Sequence, residues 1–207
     1  MRLLTTLPGI LLATALACSG QATSQSGTAI ELPDPPGLYA VIDTSMGRMV
    51  ALLYDDLAPV TVKNFVELAK GTKSTLDKRG MRVKRPFYNG LTFHRIIGGF
   101  VIQTGDVKGT GASDCGVPTI PDEISGKLSF DNPGSLGMAN TGRPNTGSCQ
   151  FFITVGRANH LNGKHTIFGQ ILQGQEVAVA ISAVPVDSSG HPKQPVIVKS
   201  ITIHSKP

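Results

Sequence analysis

The sequence predicts one mainly β domain, a barrel or sandwich covered by two helices, and three observations support this prediction. Hydrophobic residues make up 40% of the 207 residues and charged residues only 16%, so the chain can bury a core and is neither disordered nor fibrous. The 24 Gly and 14 Pro residues imply many turns, and the apolar runs between them are short and β-like. Only two segments favour helix, too few for a helix bundle.

The first elements are a β-hairpin and a helix. Leu38–Thr44 and Arg48–Tyr54 are β-rich runs, and Ser45–Gly47 between them has the length of a hairpin turn. Pro59 is placed to open the helix, because proline is favoured at the first helical position, and Gly71 is placed to end it. We expect one helical face to be buried, because its apolar residues recur at helical spacing: Val62, Phe65, Val66 and Ala69.

The remaining elements are six short strands and a second helix. The second helix is predicted at Gln175–Ala183. Turns containing Gly or Pro separate most of the predicted strands, which are Thr92–Ile97, Val101–Gln103, Ser135–Ala139, Phe151–Val155, Thr166–Ile171 and Val196–His204.

The formal net charge of +5 is concentrated in one segment. Between Lys70 and Arg85 the only acid is Asp77, and the basic residues are Lys70, Lys73, Lys78, Arg79, Arg82, Lys84 and Arg85. The segment contains no aromatic residue for base stacking, and the rest of the chain is not basic, so we expect no nucleic-acid partner. Two interpretations stay open, a solvated surface loop or a contact with anionic lipid head groups or an acidic partner.

The N-terminus predicts export. Arg2 precedes an apolar run that ends in Ala15–Ala17, an A-x-A cleavage site, so residues 1–17 are interpreted as a signal peptide. Cleavage there would make Cys18 the first mature residue, which resembles the bacterial lipoprotein pattern and predicts lipid attachment at Cys18. That pattern usually has Leu three residues before the Cys, whereas Leu16 stands two before it, and ordinary secretion is the alternative. We expect the protein in the cell envelope, in the periplasm, anchored to a membrane through Cys18.

Residues 18–37 are polar and Pro-rich and are interpreted as a flexible tether. A flexible chain from Ser19 to Pro36 would reach roughly 23 Å. The folded domain is then expected at residues 38–207, with the basic segment as an insertion at about residues 70–86.

Several familiar chemistries are excluded by spacing. Ser135 lacks the glycine that a nucleophile elbow requires two residues earlier, because Pro133 stands there. Asp114 replaces the third glycine of a dinucleotide-binding loop in Gly109–Asp114, and no βαβ unit surrounds it. The five histidines and the cysteines do not show metal-binding spacing, so we expect neither metal nor cofactor.

Four ordered segments of the remaining sequence resemble the cyclophilins. They are FHRIIGGFVIQTGD at Phe93–Asp106, GSLGMAN at Gly134–Asn140, PNTGSCQFFI at Pro144–Ile153 and LNGKHTIFG at Leu161–Gly169. The resemblance covers about residues 38 to 207. It implies a closed eight-stranded antiparallel β-barrel capped by two α-helices, acting as a peptidyl-prolyl cis-trans isomerase without a covalent intermediate.

The resemblance also implies roles for individual residues. Arg95 would be catalytic, hydrogen-bonding the prolyl group and its carbonyl in the twisted state of the amide. Proline-containing polypeptides would be the partners, and the domain is expected to be a monomer. Three other aromatic residues, Phe93, Phe151 and Phe168, are assigned to packing in the core rather than to the proline pocket. The proline pocket would be lined by Phe100, Val101, Phe152, Leu161 and His165, whereas Gln103, Ala139, Asn140 and Gln150 would position Arg95 or the peptide backbone.

The chain departs from the family pattern at several positions. Gly98 replaces a Pro, Val101 replaces the pocket Met, and Thr104 replaces a Gly. These changes bear on rate and pocket depth rather than on the reaction. The tryptophan that usually contacts cyclosporin, the family's cyclic peptide inhibitor, corresponds to His160, so we expect weaker inhibition.

A disulfide between Cys115 and Cys149 is predicted from export, cysteine parity and the geometry of the family. Lipidation of Cys18 would leave these two of the three cysteines, and in cyclophilins their segments form neighbouring walls of a secondary pocket. Two buried free thiols are the alternative.

Two functions from other classes remain open. One is a non-catalytic module or chaperone that binds proline-containing segments without rotating them. The other is an assembly factor in which the basic segment binds a partner and the pocket is incidental. The presence of Arg95 argues against both, because a pure binding protein does not need it.

Overall fold

The computed structural model describes residues 30–207. The predicted signal peptide 1–17, the lipid-attachment site Cys18 and most of the predicted tether 18–37 therefore lie outside the described residues. Within the described part, no helix has the length and apolar character that crossing a bilayer requires.

The described chain forms ten strands, two α-helices and one 3₁₀ turn. The helices are α1 at Pro59–Lys70 and α2 at Gln175–Ser182, and the 3₁₀ turn is Asn159–Leu161. The strands are β1 (Gly37–Thr44), β2 (Gly47–Leu53), β3 (Thr75–Leu76), β4 (Arg82–Val83), β5 (Arg95–Ile97), β6 (Val101–Thr104), β7 (Ser135–Met138), β8 (Phe151–Thr154), β9 (Ile167–Gln173) and β10 (Val198–Lys206).

Eight strands form one antiparallel sheet in the order β10-β1-β2-β9-β7-β8-β6-β5. The predicted closed barrel is wrong in one respect, because the sheet is curled but open and its edge strands β5 and β10 share no ladder. The isolated Thr92–Ile197 bridge and a few backbone hydrogen bonds, such as that from Gly90 N–H to the carbonyl of Val198, join the segments that lead into them without forming a ladder. Strand β5 is three residues long, and Ile96 N–H donates to the carbonyl of Gly190, so this edge is already bonded to the loop before β10.

The core lies between α1 and the sheet and is rich in aromatic rings. Phe65 of α1 is fully buried, and its ring centroid lies 5.3 Å from that of Phe151, in edge-on contact. The rings of Phe168 and Tyr88 also pack against the Phe65 ring, with centroids 5.2 and 5.3 Å from it. Such aromatic contacts add to the apolar area that α1 buries. Helix α2 packs against β2, β5 and β6.

Helix α1 begins and ends through different devices. Pro59 stands in its first turn, but Ala58 has no side chain that can cap the helix. The carboxylate of Glu123, far along the chain, instead accepts hydrogen bonds from the N–H groups of Val60 and Thr61 at 3.0 and 2.8 Å. Gly71 ends the helix, as predicted, and the structure shows that it does so in the left-handed conformation.

The basic segment is ordered as a short hairpin that the sequence did not predict. Thr75–Leu76 pairs with Arg82–Val83, and the two strands form a separate sheet. The other predicted strands and helices occur, with ends shifted by a few residues.

The last residues of the predicted tether contact the folded body. Lys206 Nζ donates to the carbonyls of Leu32 and Pro33 and pairs with the carboxylate of Asp34 at 2.7 Å. Tyr39 Oη also donates to the carbonyl of Pro33 at 3.0 Å. The hydrogen-bonded body therefore begins at Leu32.

Gly71→Ala should destabilise the protein more than Gly80→Ala. Both glycines have positive φ, 70° and 79°, which costs an alanine about 1–2 kcal/mol. A Cβ on Gly71 would also lie 2.2 Å from the carbonyl carbon of Arg85, whereas a Cβ on Gly80 would meet nothing within 4 Å. Urea unfolding of both variants measures the difference, which we expect to be at least about 1 kcal/mol. If Gly71→Ala and Gly80→Ala lost the same free energy of unfolding, the close contact between Gly71 and Arg85 would be contradicted.

Candidate active site

The sequence-predicted site residues lie around a cleft of about 480 Å³. Strands β5, β6 and β8 and the residues that follow β7 form its base, and the 3₁₀ turn forms one side. The residues that line it are Arg95, Phe100, Val101, Gln103, Ala139, Asn140, Phe152, His160, Leu161 and His165. Gln150 lines an adjoining cleft of about 210 Å³. The structure thus brings the candidate catalytic, substrate-binding and inhibitor-contact residues together.

The floor of the cleft is apolar and rigidly backed. Val101 is 2% exposed and Phe152 is 5% exposed. Behind Phe152 lies the fully buried Phe130, with ring centroids 5.6 Å apart. These residues form a hydrophobic cluster separate from the main core. A floor of this kind suits a compact apolar group.

Phe130 supports the floor of the cleft from behind, a role that sequence reasoning missed. Its backbone N–H donates to Asn162 Oδ1 at 2.8 Å, and its carbonyl accepts from Ala158 N–H at 2.9 Å. The ring is therefore held by contacts to the segments around the 3₁₀ turn. Phe130 lies in no regular element and none of the four motifs contains it, so the sequence carries no local signal for its role.

Two histidines border the cleft in different environments. His165 packs edge-on against Phe152, with ring centroids 5.4 Å apart, and its Nδ1 lies 2.9 Å from the carbonyl of Met138. Because a carbonyl only accepts, Nδ1 donates, and Nε2 is the acceptor of the neutral ring. His160 is exposed and packs on Phe100, with centroids 5.0 Å apart.

Arg95 is half-buried and is held by amide groups rather than by an acid. Its Nη1 donates to Gln103 Oε1 at 3.3 Å, Gln103 Nε2 donates to Gln150 Oε1 at 2.9 Å, and Gln150 Nε2 donates to the carbonyl of Gly111 at 3.1 Å. Within residues 30–207 no carboxylate pairs with Arg95, so its charge is not neutralised by a salt bridge. Most of its N–H donors remain for another ligand.

The loop that carries Gly111 is organised by Asp106, whose role the sequence analysis did not identify. Its buried carboxylate accepts from the N–H groups of Gly111 and Ser113 at 2.8 and 3.1 Å, and also from Thr110 N–H and the Ser113 hydroxyl. Burial alone would raise the pKa of Asp106, but the hydrogen bonds from Ser113, Gly111 and Thr110 hold this pKa below its ordinary value. His94 lies buried near Gly111, and burial lowers its pKa.

A disulfide joins this loop to the segment that carries Gln150, directly before β8. Cys115 and Cys149 are bonded, with their Cα atoms 6.6 Å apart, and each is 1% exposed. Cys149 directly precedes Gln150, so the bond tethers both ends of the Gln150–Gly111 contact. The alternative of two free thiols is not what the structure shows.

The cleft continues in two directions from Asn140. This residue also lines the cleft that holds Gln150 and a second neighbouring cleft of about 340 Å³. Asn140 Nδ2 donates to the carbonyl of Lys164 at 2.9 Å, which joins the β7 end to the loop before His165. The connected surface has room for residues on both sides of a bound apolar group. Within residues 30–207 no group of His, Cys, Asp and Glu could hold a metal ion.

Comparisons with known proteins show the family. The family described as "Cyclophilin type peptidyl-prolyl cis-trans isomerase/CLD" matches residues 39–203, the part that contains the cleft. The chain belongs to the cyclophilin-type peptidyl-prolyl cis-trans isomerases. Peptidyl-prolyl cis-trans isomerase A of Mycobacterium tuberculosis is 46% identical over 168 residues, which is 79% of this chain and 91% of the relative. Peptidyl-prolyl cis-trans isomerase B of Streptomyces anulatus is 39% identical over 173 residues, or 82% of this chain and 98% of the relative.

A solved cyclophilin confirms the fold family. The crystal structure of a cyclophilin-type isomerase of Cryptosporidium parvum in the presence of the dipeptide Ala-Pro matches with a TM-score of 0.70 and 33% identity. The match covers 81% of this chain and 99% of that chain. The predicted family and the predicted enzyme class, a peptidyl-prolyl cis-trans isomerase, are therefore confirmed.

Removing the disulfide should lower the stability of this cyclophilin. The bonded cysteines are 34 residues apart, and closing a loop of this length contributes about 3–4 kcal/mol in the chain-entropy model. We expect the Cys115→Ala/Cys149→Ala variant to lose a free energy of unfolding of this order, measured by urea unfolding. Adding reductant should lower the free energy of unfolding of the wild type by the same amount. The double variant serves as the control, because reductant should not change it. A wild type that is insensitive to full reduction would contradict the prediction.

Proposed function

We propose that Arg95 is the catalytic residue and that the cleft holds the proline ring while the residues before it rotate. The observation that carries this proposal is the placement of a half-buried, acid-free guanidinium at the edge of an apolar cleft. Val101 and Phe152 would contact the proline ring, and Arg95 would meet the polar atoms of the X–Pro amide.

The geometry matches the physical demand of the reaction. Rotation about an X–Pro bond passes a barrier of about 18–20 kcal/mol, because amide resonance is lost in the twisted state. In that state the prolyl nitrogen becomes a better hydrogen-bond acceptor. An arginine that donates to it, and to the prolyl carbonyl, binds the twisted state more tightly than the planar one and lowers the barrier. No bond is broken, so the reaction needs no nucleophile.

The substrates follow from the same cleft. Proline-containing polypeptides fit an apolar pocket that opens into clefts on both sides. The Cryptosporidium parvum relative was crystallised in the presence of Ala-Pro, which supports a proline-containing ligand here. We propose that the clients are unfolded or flexible proteins of the cell envelope, because the N-terminal sequence has the pattern of an export signal.

Arg95→Ala should lower turnover at least about tenfold, which corresponds to ~1.4 kcal/mol of transition-state stabilisation. Arg95→Lys should recover only part of this loss, because an ammonium lacks the planar fork of a guanidinium. A protease-coupled proline-isomerisation assay measures turnover, and circular dichroism checks the fold. Arg48→Ala is the matched control, since Arg48 is an exposed arginine paired with Asp43 on the β1–β2 hairpin. Wild-type turnover in a folded Arg95→Ala protein would refute the mechanism.

We further propose that the mature protein is anchored to a membrane through acyl chains on Cys18. Leu16-Ala17-Cys18 resembles a lipoprotein cleavage junction, and the polar residues after it suit a tether. Mass spectrometry of the protein from its native host should show an acylated N-terminal Cys18, and Cys18→Ser should move the protein from the membrane fraction to the soluble fraction. An unmodified mature Cys18 would favour ordinary secretion instead.

A further inference from the structure

The basic hairpin β3–β4 forms one wall of a pocket that is not part of the proline site. The pocket has a volume of about 360 Å³. Its floor is apolar and largely buried, with Phe87 6% exposed, Leu91 6% exposed and Val107 5% exposed. Its rim carries the exposed cations Lys78, Arg79 and Arg85. An apolar floor with a cationic rim is a specific combination of surfaces.

The positive charge of this rim is only partly neutralised locally. The only acid of the hairpin, Asp77, uses its carboxylate to accept from the N–H groups of Arg79 and Met81, each at 2.9 Å. Those bonds, the Met81 bond above all, lower the pKa of Asp77 and shape the hairpin tip. Arg79 contacts Asp77 only at 3.8 Å, and in residues 30–207 no ion pair involves Lys78, Lys84 or Arg85.

The hairpin is anchored to the loop that supports the active site. Leu76 N–H donates to the carbonyl of Cys115 at 2.9 Å, and Arg82 Nη1 donates to the carbonyl of Gly116 at 2.9 Å. The same loop contributes Val107 to the pocket beside β3–β4 and Gly111–Ser113 to the cleft that Gln150 lines. The two binding surfaces therefore share this loop.

We propose that the pocket beside β3–β4 is a docking site for an acidic segment of a polypeptide. An apolar side chain of that segment would enter the pocket, and flanking carboxylates would meet Arg79 and Arg85. A concave site with a buried apolar floor suits a side chain better than a flat lipid surface. A nucleic acid would need exposed aromatic rings for its bases, whereas the pocket's one aromatic ring, Phe87, is buried. The proposal does not depend on isomerase activity.

The test uses a fluorescein-labelled, proline-free peptide in which Glu, Asp and Gly residues surround a central Leu. Fluorescence anisotropy with the full mature chain should show binding that weakens as salt is added, because salt screens exposed charges. We expect Arg79→Glu/Arg85→Glu to weaken binding at least about tenfold, since each substitution reverses a charge at the rim. Lys63→Glu/Lys199→Glu is the matched control, because it changes the net charge equally at exposed positions outside the pocket, and it should leave binding nearly unchanged.

Further arms separate the apolar floor from charge alone. A peptide with Ser in place of Leu should bind more weakly, and a peptide with Lys in place of the acids should not bind. Arg79→Gln/Arg85→Gln, which removes the charges without reversing them, should have an intermediate affinity. Unfolding curves should match the wild type in every variant, and turnover of a short neutral proline substrate should not change.

Several results would overturn the docking proposal while leaving the isomerase proposal intact. Unchanged peptide affinity in folded Arg79→Glu/Arg85→Glu would do so, as would equal affinity for the Ser and Leu peptides. Tighter binding of phosphatidylglycerol vesicles or of a single-stranded oligonucleotide through the same arginines would assign the surface to a different class of partner.

Discussion

The pairing of Arg95 with Gln103 across the β5–β6 ladder is the contact on which the active site depends. Antiparallel register places the two residues opposite each other, and Gln103 lies opposite Phe152 on β8. Side chains of directly paired residues are close enough to interact, so the register alone brings the guanidinium, the amide and the apolar floor together. A shift of one residue would turn Arg95 to the other face of the sheet.

The use of amides to hold this arginine has a chemical consequence. A carboxylate in place of Gln103 would hold the guanidinium more tightly, but it would also neutralise its charge and compete with a substrate carbonyl. Gln103 and Gln150 each offer a hydrogen-bond donor and an acceptor. A chain of hydrogen bonds through these two neutral side chains therefore links the Gly111 carbonyl to Arg95 and fixes the orientation of the guanidinium. The arginine is positioned while its charge stays available.

Strand β8 connects the cleft to the core of the fold. Because side chains alternate along a strand, Phe151 packs in the main core with Phe65, whereas Phe152 belongs to the separate cluster beneath the cleft. Gly137 on the neighbouring strand leaves the space that Phe152 occupies, since a Cβ there would lie 2.2 Å from the ring. The apolar floor of the cleft is thus held in place by the neighbouring strand and by its own buried cluster.

The sequence by itself determined the family, the strand-rich class, helix α1 and the identity of the cleft residues, because these depend on local pattern and contiguous motifs. Pro59 and Gly71 act within their own helix, and the segments around Arg95 and Gln150 carry recognisable residues in order. Only the tertiary structure decided the features that join distant segments. Glu123 caps α1, Phe130 backs Phe152, and Asp106 shapes the loop under Gln150. The sheet stays open for a similar reason, because the carbonyl of Gly190 already accepts a hydrogen bond from Ile96 N–H on the edge strand that closure would need. No local periodicity in a sequence shows which distant group satisfies a given backbone N–H.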